Sequence, residues 1–375
     1  MSTPSGKDSS PIQLLDLARR EVCDLLARWG EPRYRADQLW RWLYRDLAAD
    51  FEAMVNLPRA LRARLAEEAS CQPLELVEEV VSRDRRTRKC LFRLADGETL
   101  ETVLMLYEER RTVCISAQIG CAIGCPFCAT GQSGFVRDLT AGEIVAQVLH
   151  YARWLADPQA SGSGAVPIQR PARVSNIVVM GMGEPLANYQ ATWQSLETLN
   201  DPEGFALGAR HMTLSTAGLA PGIERMSREA MQIGLAVSLH APTDRMRSKL
   251  VPLNRRYPLA QLMAACRGYV QRTGRRVTFE YALLQGINDS DQQAERLARL
   301  LRRLLCHVNL IPVNRVDGSP YQPSSRQRTQ GFLRVLRDAG ISATVRLRRG
   351  LDIEAGCGQL RQRKALGDDQ LSNDQ

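Results

Sequence analysis

One stretch indicates the architecture of this chain: Arg111-Thr-Val-Cys-Ile-Ser-Ala-Gln-Ile-Gly-Cys-Ala-Ile-Gly-Cys-Pro-Phe-Cys128. It begins as a β-branched, apolar run that predicts a strand. It ends in three cysteines, Cys121, Cys125 and Cys128. Three thiolates on one tight loop suit an iron–sulfur cluster or zinc. A four-iron cluster held by three thiolates keeps one iron open to a ligand, whereas structural zinc needs a fourth protein ligand, so the triplet favours the cluster.

Downstream of this loop, apolar strand patterns alternate with amphipathic helix patterns. Strands are predicted at about 112–118, 174–180, 211–215, 234–240, 277–284, 307–313 and 343–347. Helices are predicted at about 140–155, 189–200, 221–230, 258–272, 291–305 and 325–339. This alternation predicts parallel βα units. Six units with a trailing strand suit a partial barrel, but an open doubly wound sheet has the same alternation, so the pattern alone leaves both folds possible.

The chain upstream divides into two further regions. Residues 12–72 are predicted to form an N-terminal helical accessory domain, because apolar residues recur at helical spacing from Leu15 to Trp29 and again around Trp40. Residues 73–110 are predicted to be a β-rich connector with a hairpin turn at Asp96-Gly97. The barrel core is then 111–360, followed by a polar tail at 361–375.

Composition excludes several classes of protein. The chain has 375 residues, 44% of them hydrophobic, which is too apolar for a disordered protein. No run approaches the ~18 apolar residues of a membrane span, and the N-terminus lacks the apolar core of a signal peptide. We therefore expect a cytoplasmic protein, in which ten cysteines need a reason other than disulfide scaffolding. The net charge of +9 fits a polyanionic partner such as nucleic acid.

Other polar and glycine residues follow predicted strands. Gly181-Met-Gly-Glu-Pro185 comes directly after one strand, and its glycines allow close approach of backbone to a ligand. Three further strand ends carry Leu214-Ser215-Thr216, Ser238-Leu239-His240 and Pro312-Val313-Asn314. Each alone would also fit a cap or turn, but together they suit a ligand site at one end of a barrel. Two more cysteines stand out: Cys114 on the first strand, and Cys357, which two glycines flank.

These motifs together resemble the radical S-adenosylmethionine (SAM) RNA adenine methyltransferases, the family of RlmN and Cfr, and are most similar to its RlmN branch. The resemblance runs from about Leu14 to Leu360 and includes Ser238-Leu-His-Ala-Pro242 and Asp352 to Leu360. It implies a partial (β/α)6 radical SAM barrel with a small N-terminal helical domain and a short β extension. It also implies one [4Fe-4S] cluster on Cys121, Cys125 and Cys128. The SAM contacts that it implies are Gly183, Glu184, Ser215, Ser238, Leu239, His240 and Asn314.

The family's chemistry gives three more residues a role. C2 of adenine is electron-poor, so polar methyl transfer fails there. The resemblance implies that one SAM methylates Cys357 and that a second yields a deoxyadenosyl radical, which removes hydrogen from that methyl group. The methylene radical adds to adenine, Glu101 accepts the proton, and Cys114 attacks the Cys357 sulfur. A transient disulfide then releases the methylated base.

The resemblance implies that the substrates are adenine 2503 of 23S rRNA and adenine 37 of tRNAs. It also implies an external electron donor, and we expect a monomer without a membrane partner. The basic runs Arg83–Lys89, Arg245–Lys249 and Arg346–Arg349 are candidate phosphate contacts, or else solvated surface. Two alternatives stay open: C8 methylation of the same rRNA adenine, as in Cfr, and a non-catalytic zinc-bound RNA-binding protein.

Overall fold

The computed structural model describes residues 11–157, 173–314, 320–346, 350–356 and 358–360. Two predicted features lie outside the described residues, namely the polar tail at 361–375 and position 357. Residues 158–172, most of a Gly-, Ser- and Pro-rich stretch that begins at Asp157, also lie outside them. Within the described ranges, no helix is long and apolar enough to cross a membrane.

One ten-stranded mixed sheet organises the molecule. Its antiparallel part consists of β3 (Glu75–Val81), β4 (Thr87–Arg93), β5 (Thr99–Leu106) and β6 (Arg111–Ile115). Its parallel part continues from β6 through β9 (Asn176–Val179), β10 (Met212–Thr216), β11 (Gly234–Ser238), β12 (Val277–Leu283), β13 (Cys306–Pro312) and β14 (Ala343–Val345). The predicted β-rich connector therefore lengthens the same sheet rather than forming a separate one.

The strand order distinguishes a barrel from a doubly wound sheet. The parallel strands lie in the order β6-β9-β10-β11-β12-β13-β14, with no reversal. A doubly wound sheet reverses direction at a switch point, so the predicted partial barrel is confirmed. Because all these strands are parallel, their carboxyl ends lie at the same edge of the sheet.

The connecting helices lie close to their predicted positions. They are α5 (Ala141–Ala156), α6 (Tyr189–Asn200), α7 (Ala220–Met226), α8 (Asp244–Leu250), α9 (Leu259–Thr273), α10 (Asp291–Leu301) and α11 (Arg326–Asp338). The start of α5 is fixed by a capping box, in which the Thr140 hydroxyl accepts from Glu143 N and the Glu143 carboxylate accepts from Thr140 N. Helix α8 was not among the predicted helices.

Three helices form the predicted N-terminal unit: α1 (Arg19–Arg28), α2 (Tyr34–Tyr44) and α3 (Arg59–Glu68). Trp40 and Leu43 are buried in its core. A two-stranded parallel pair, β1 (Ile12–Gln13) and β2 (Ala69–Ser70), joins its ends. The unit packs on the outside of the barrel, where Asp16 accepts a hydrogen bond from the first turn of α5 at Gly142.

A small hairpin surrounds the cysteine loop. It pairs β7 (Gln118–Gly120) with β8 (Phe135–Asp138), and the four-residue helix α4 (Ala129–Gln132) lies between them. The predicted first strand, 112–118, is thus divided between β6 and β7. The hairpin holds the loop over the open end of the barrel.

Candidate active site at the strand ends

A cavity of about 190 Å³ opens at the carboxyl ends of the parallel strands. Its lining includes nine of the predicted site residues: Cys114, Cys121, Cys125, Cys128, Gly183, Glu184, Ser215, Ser238 and His240. Gly356 and Gly358, which flank position 357, also line it. Cys357 itself lies outside the described residues.

Three predicted residues surround this cavity without lining it. Leu239 is buried, and its N–H donates to the Glu280 carbonyl. Asn314 lies directly against Gly356, so that a Cβ at that glycine would collide with the Asn314 amide nitrogen. Glu101 is buried on β5, two residues before the cavity-lining Val103 and on the same face of the strand.

The cysteine loop is folded by backbone contacts. Cys121 N donates to Gly134 O at 2.6 Å, and Cys128 N donates to Cys125 O at 3.1 Å. Gly131 of α4 lies so close that a Cβ there would be 2.8 Å from Cys125 N. These contacts close the loop, and all three of its cysteines line the cavity.

The spacing of the loop sulfurs fits a cluster better than zinc. Among the described residues, one group of three His, Cys, Asp or Glu side chains has all its ligand atoms within 4.8 Å of one another, and it consists of Glu79, Cys90 and His150. The three loop cysteines do not form such a group. The three loop cysteines therefore spread more widely than zinc would hold them, since its Zn–S bonds are only ~2.3 Å long. Three thiols around an open cavity fit a [4Fe-4S] cluster.

Burial controls the protonation of the loop thiols. It raises the pKa of Cys121 to about 12 and the pKa of Cys125 well above its usual value. Thiols in this setting become thiolates when a metal replaces the proton. The loop therefore suits a cluster ligand set better than a set of reactive surface thiols.

The loop after β9 presents Glu184 to the cavity. Gly183 has a φ of +98°, and a Cβ there would lie 2.5 Å from the Gln118 Cβ, so only glycine fits. The Gln118 amide oxygen accepts from Glu184 N at 2.7 Å. The Glu184 carboxylate accepts from Leu186 N and from Ala217 N, at 3.1 and 2.6 Å. Burial raises the pKa of Glu184 to about 7.

His240 is held in one orientation after β11. Its backbone adopts a left-handed φ of 57°, and its Nδ1 accepts from Ala282 N at 3.0 Å. The Phe127 ring packs edge-on against the imidazole at a centroid distance of 5.0 Å. Burial lowers the pKa of His240 to about 3, so the ring is neutral. Because Nδ1 accepts, the neutral ring carries its proton on Nε2.

Arg247 was assigned to a basic run, but the structure buries it completely beneath the site. Its guanidinium donates to the carbonyls of Ala217, Ser238 and Leu239 at 2.5 to 3.1 Å, and to the Asn254 side chain at 3.0 Å. Burial lowers the pKa of Arg247 to about 10. Arg247 therefore ties together the ends of β10 and β11 and does not contact phosphate.

Lys89 also belongs to a predicted basic run and is also buried. Its Nζ lies 3.1 Å from Glu101 Oε1, and the two side chains are 4% and 1% exposed. The Glu101 carbonyl accepts from the Ser116 hydroxyl, which in turn accepts from Met182 N. Of the third run, 347–349 lie outside the described residues, while Arg346 lines the cavity.

Glu280, a carboxylate on β12, also lines the cavity and is not among the predicted site residues. Its Oε1 accepts from the Asn309 amide at 3.1 Å. Its Oε2 is buried without a hydrogen-bond partner among the described residues. Burial raises the pKa of Glu280. An acidic residue inside the apolar run Val277-Thr-Phe-Glu-Tyr-Ala-Leu283 was the available signal.

The segment around position 357 is attached on both sides of the cavity. On one side, Asp352 accepts from Arg83 N at 2.8 Å. On the other, Gly358 O accepts from Ala129 N at 2.8 Å, and Leu360 O accepts from the Thr130 hydroxyl at 2.6 Å. The β extension and the cysteine loop thus both hold this segment at the mouth of the cavity.

Comparisons with known proteins agree with this geometry. The family model of the ribosomal RNA large subunit methyltransferase N-terminal domain matches residues 12–71, and that of the radical SAM superfamily matches 115–298. A probable dual-specificity RNA methyltransferase RlmN of Chloroflexus aurantiacus is 52% identical over 94% of this chain and 93% of its own length. One from Moorella thermoacetica is 47% identical over 93% of this chain and 97% of its own length.

A solved structure supports the same conclusion. The crystal structure of a radical SAM methyltransferase from Sphaerobacter thermophilus is 54% identical and superposes with a TM-score of 0.88. It covers 94% of this chain, and the match spans 99% of that protein. The protein is thus an enzyme whose superfamily uses a [4Fe-4S] cluster and SAM, and whose relatives methylate RNA. The chain belongs to the RlmN family of radical SAM RNA methyltransferases.

Proposed function

We propose that this enzyme methylates C2 of adenine 2503 in 23S rRNA and of adenine 37 in tRNAs, through a methyl group carried on Cys357. One observation carries the proposal. The three cysteines of the loop, Cys114, and the two glycines that flank position 357 all line a single cavity. A carrier thiol, a resolving thiol and a cluster are needed together only if the methyl group passes through the protein.

Two sets of residues would hold the cofactors. Cys121, Cys125 and Cys128 would bind one [4Fe-4S] cluster. Gly183, Glu184, Ser215, Ser238, Leu239, His240 and Asn314 would bind SAM. When bound, the cofactors supply a methyl group and then a radical, with two SAM molecules consumed per turnover. SAM carries both polar and charged groups. The neutral His240 ring can donate a hydrogen bond from Nε2 to such a ligand, and the backbone around Gly183 can approach it closely.

The two catalytic thiols complete the transfer in this proposal. After the Cys357 methylene radical has added to adenine, the adduct must give up one electron, for which a bound cluster would be the acceptor, and Glu101 takes the proton from C2. The Cys114 thiolate attacks the Cys357 sulfur, so that an S–S bond forms and the S–C bond breaks. The electron pair of the S–C bond passes to the product carbon, which takes up a proton and becomes the methyl group. Reduction of the disulfide by an external donor resets both thiols, which calls for a reducing compartment.

The rest of the chain would bind RNA. We propose 12–72 as an accessory domain, 73–110 as a connector and 111–360 as the catalytic core, acting as a monomer. Arg83 and Arg85 are exposed near the segment that leads to position 357, and they are candidate phosphate contacts. Lys89 and Arg247 drop out of that set because they are buried.

Nucleoside analysis tests the proposed reaction. Cluster-reconstituted protein, supplied with SAM and a reductant, is incubated with 23S rRNA fragments or with tRNA, and the digested RNA is separated by mass spectrometry. We expect 2-methyladenosine in both RNAs. A protein that makes only 8-methyladenosine would overturn the C2 assignment, and modification of rRNA alone would overturn the dual specificity.

A further inference from the structure

A buried ion pair links the β extension to the catalytic region. Lys89 on β4 and Glu101 on β5 are 3.1 Å apart between Nζ and Oε1. Lys89 lies opposite Val103 in the strand register, on the same face as Glu101. Removing two charges from water is costly, and such a pair is weak evidence for stability alone.

The same ammonium group reaches a second partner. Lys89 Nζ donates to the Glu354 carbonyl at 3.4 Å, three residues before position 357. The neighbouring part of that segment also rests on the β extension, since a Cβ on Gly350 would lie 2.8 Å from the Thr87 side chain. Because a lysine ammonium has three donors, one group can hold a carboxylate and a loop at once.

We propose that Lys89 is a positioning residue that fixes the Glu101 carboxylate relative to the segment carrying Cys357. This inference rests on the roles proposed above for Glu101 and Cys357. When adenine is linked to Cys357, the segment that carries Cys357 determines where C2 lies. The Glu101 carboxylate, which removes the C2 proton, must therefore be held in a defined position relative to the same segment. Lys89 can hold the two together, because its ammonium group contacts both the Glu101 carboxylate and the Glu354 carbonyl.

Lys89 should be needed for the late steps of the reaction and not for the early ones. The loop cysteines and the Gly183–Glu184 loop lie on other elements, β7 to α4 and the turn after β9. Cleavage of SAM therefore does not require Lys89. The segment also keeps its contacts at Asp352 with Arg83 N and at Gly358 O with Ala129 N when Lys89 is lost, so Cys357 remains available for methylation. Proton removal from linked adenine does require Lys89, so loss of Lys89 should stop the reaction at the covalent protein–RNA adduct.

The test uses the cluster-loaded full-length enzyme and four variants. Lys89→Met removes the ammonium group, Glu101→Gln removes the base, and a double variant combines them. Arg93→Met is the matched control, since Arg93 lies on the same strand but pairs with Glu75 at the surface, 3.3 Å away. Three quantities are measured: methylation of Cys357, accumulation of protein–RNA adduct on denaturing gels, and release of methylated adenosine.

We expect Lys89→Met to keep Cys357 methylation, to accumulate adduct, and to release product at least about tenfold more slowly, because small misplacements of catalytic groups have effects of this size. Arg93→Met should behave as wild type. The double variant should be no slower than Glu101→Gln, because Lys89 acts through Glu101. This comparison holds even if Lys89→Met alone folds poorly, since the double variant leaves no unpaired buried carboxylate.

Three results would overturn the inference alone: normal product release by Lys89→Met, loss of Cys357 methylation in that variant, or a double variant much slower than Glu101→Gln. Normal turnover by Glu101→Gln would be different. It would overturn the proposed role of Glu101 as the base, and the inference about Lys89 with it.

Discussion

Only glycine fits at position 183, in the loop after β9 that carries two of the proposed SAM contacts. Its φ of +98° is a conformation that other residues adopt at a cost, and a Cβ there would lie 2.5 Å from the Gln118 Cβ. Gln118 in turn accepts the N–H of Glu184. A side chain at position 183 would thus displace Gln118 and, through it, Glu184, which is one of the proposed SAM contacts.

We therefore predict that Gly183→Ala weakens SAM binding at least about tenfold, or ~1.4 kcal/mol, while the cluster spectrum is retained. Isothermal titration of the cluster-loaded protein with SAM measures this. Gly268→Ala is the control, because Gly268 lies within α9 with no atom near its Cβ position. That substitution should leave SAM affinity unchanged and raise the free energy of unfolding by ~0.5–1 kcal/mol. Equal SAM affinity in the two variants would contradict the role of Gly183.

At the level of secondary-structure elements, Arg247 of α8 connects the carboxyl ends of β10 and β11, two strands that are separated along the sequence. Its guanidinium satisfies backbone carbonyls from β11 and from the turn after β10, and the Asn254 side chain completes its partners. These are the strand ends that carry Ser215 and Ser238. A buried carbonyl that loses its donor costs about 1–3 kcal/mol.

Arg247→Met is accordingly expected to lower the free energy of unfolding by at least about 3 kcal/mol, since several acceptors lose their donor together. Arg245→Met, on the same helix but exposed, should change it by less than ~0.5 kcal/mol. Chemical denaturation under anaerobic conditions compares the two. Similar stabilities would mean that Arg247 does not connect the strand ends.

At the scale of the whole molecule, periodicity and strand-end motifs predicted most of the architecture. The βα alternation, the helical unit and the hairpin at Asp96-Gly97 depend on local patterns, which sequence reports well. The barrel itself did not follow from the alternation. It depends on strand order, which is a long-range property, and the family resemblance supplied it before the structure did.

The candidate site was predictable wherever its residues stand in compact motifs. Lys89 and Arg247 were misassigned to solvent-facing basic runs, because a run of charges does not reveal which member turns inward. Glu280 was missed because one acidic residue within an apolar strand has no neighbouring motif. In each case burial against distant segments gives the residue its role, and single-sequence patterns carry no information on such contacts.

In the proposed reaction, the methyl group passes through one protein thiol, Cys357, and a second thiol, Cys114, releases it. Cys114 and the two glycines that flank Cys357 line the same cavity, and the proposed task of Cys114 comes last in the reaction. Replacing it should therefore leave all earlier steps intact.

The most direct measurement is mass spectrometry of Cys114→Ala after reaction with SAM, a reductant and tRNA. We predict a covalent protein–RNA adduct joined through a one-carbon bridge at Cys357, absent when Cys357→Ala is added to the same variant. Release of methylated adenosine by Cys114→Ala at the wild-type rate, with no adduct, would contradict the account.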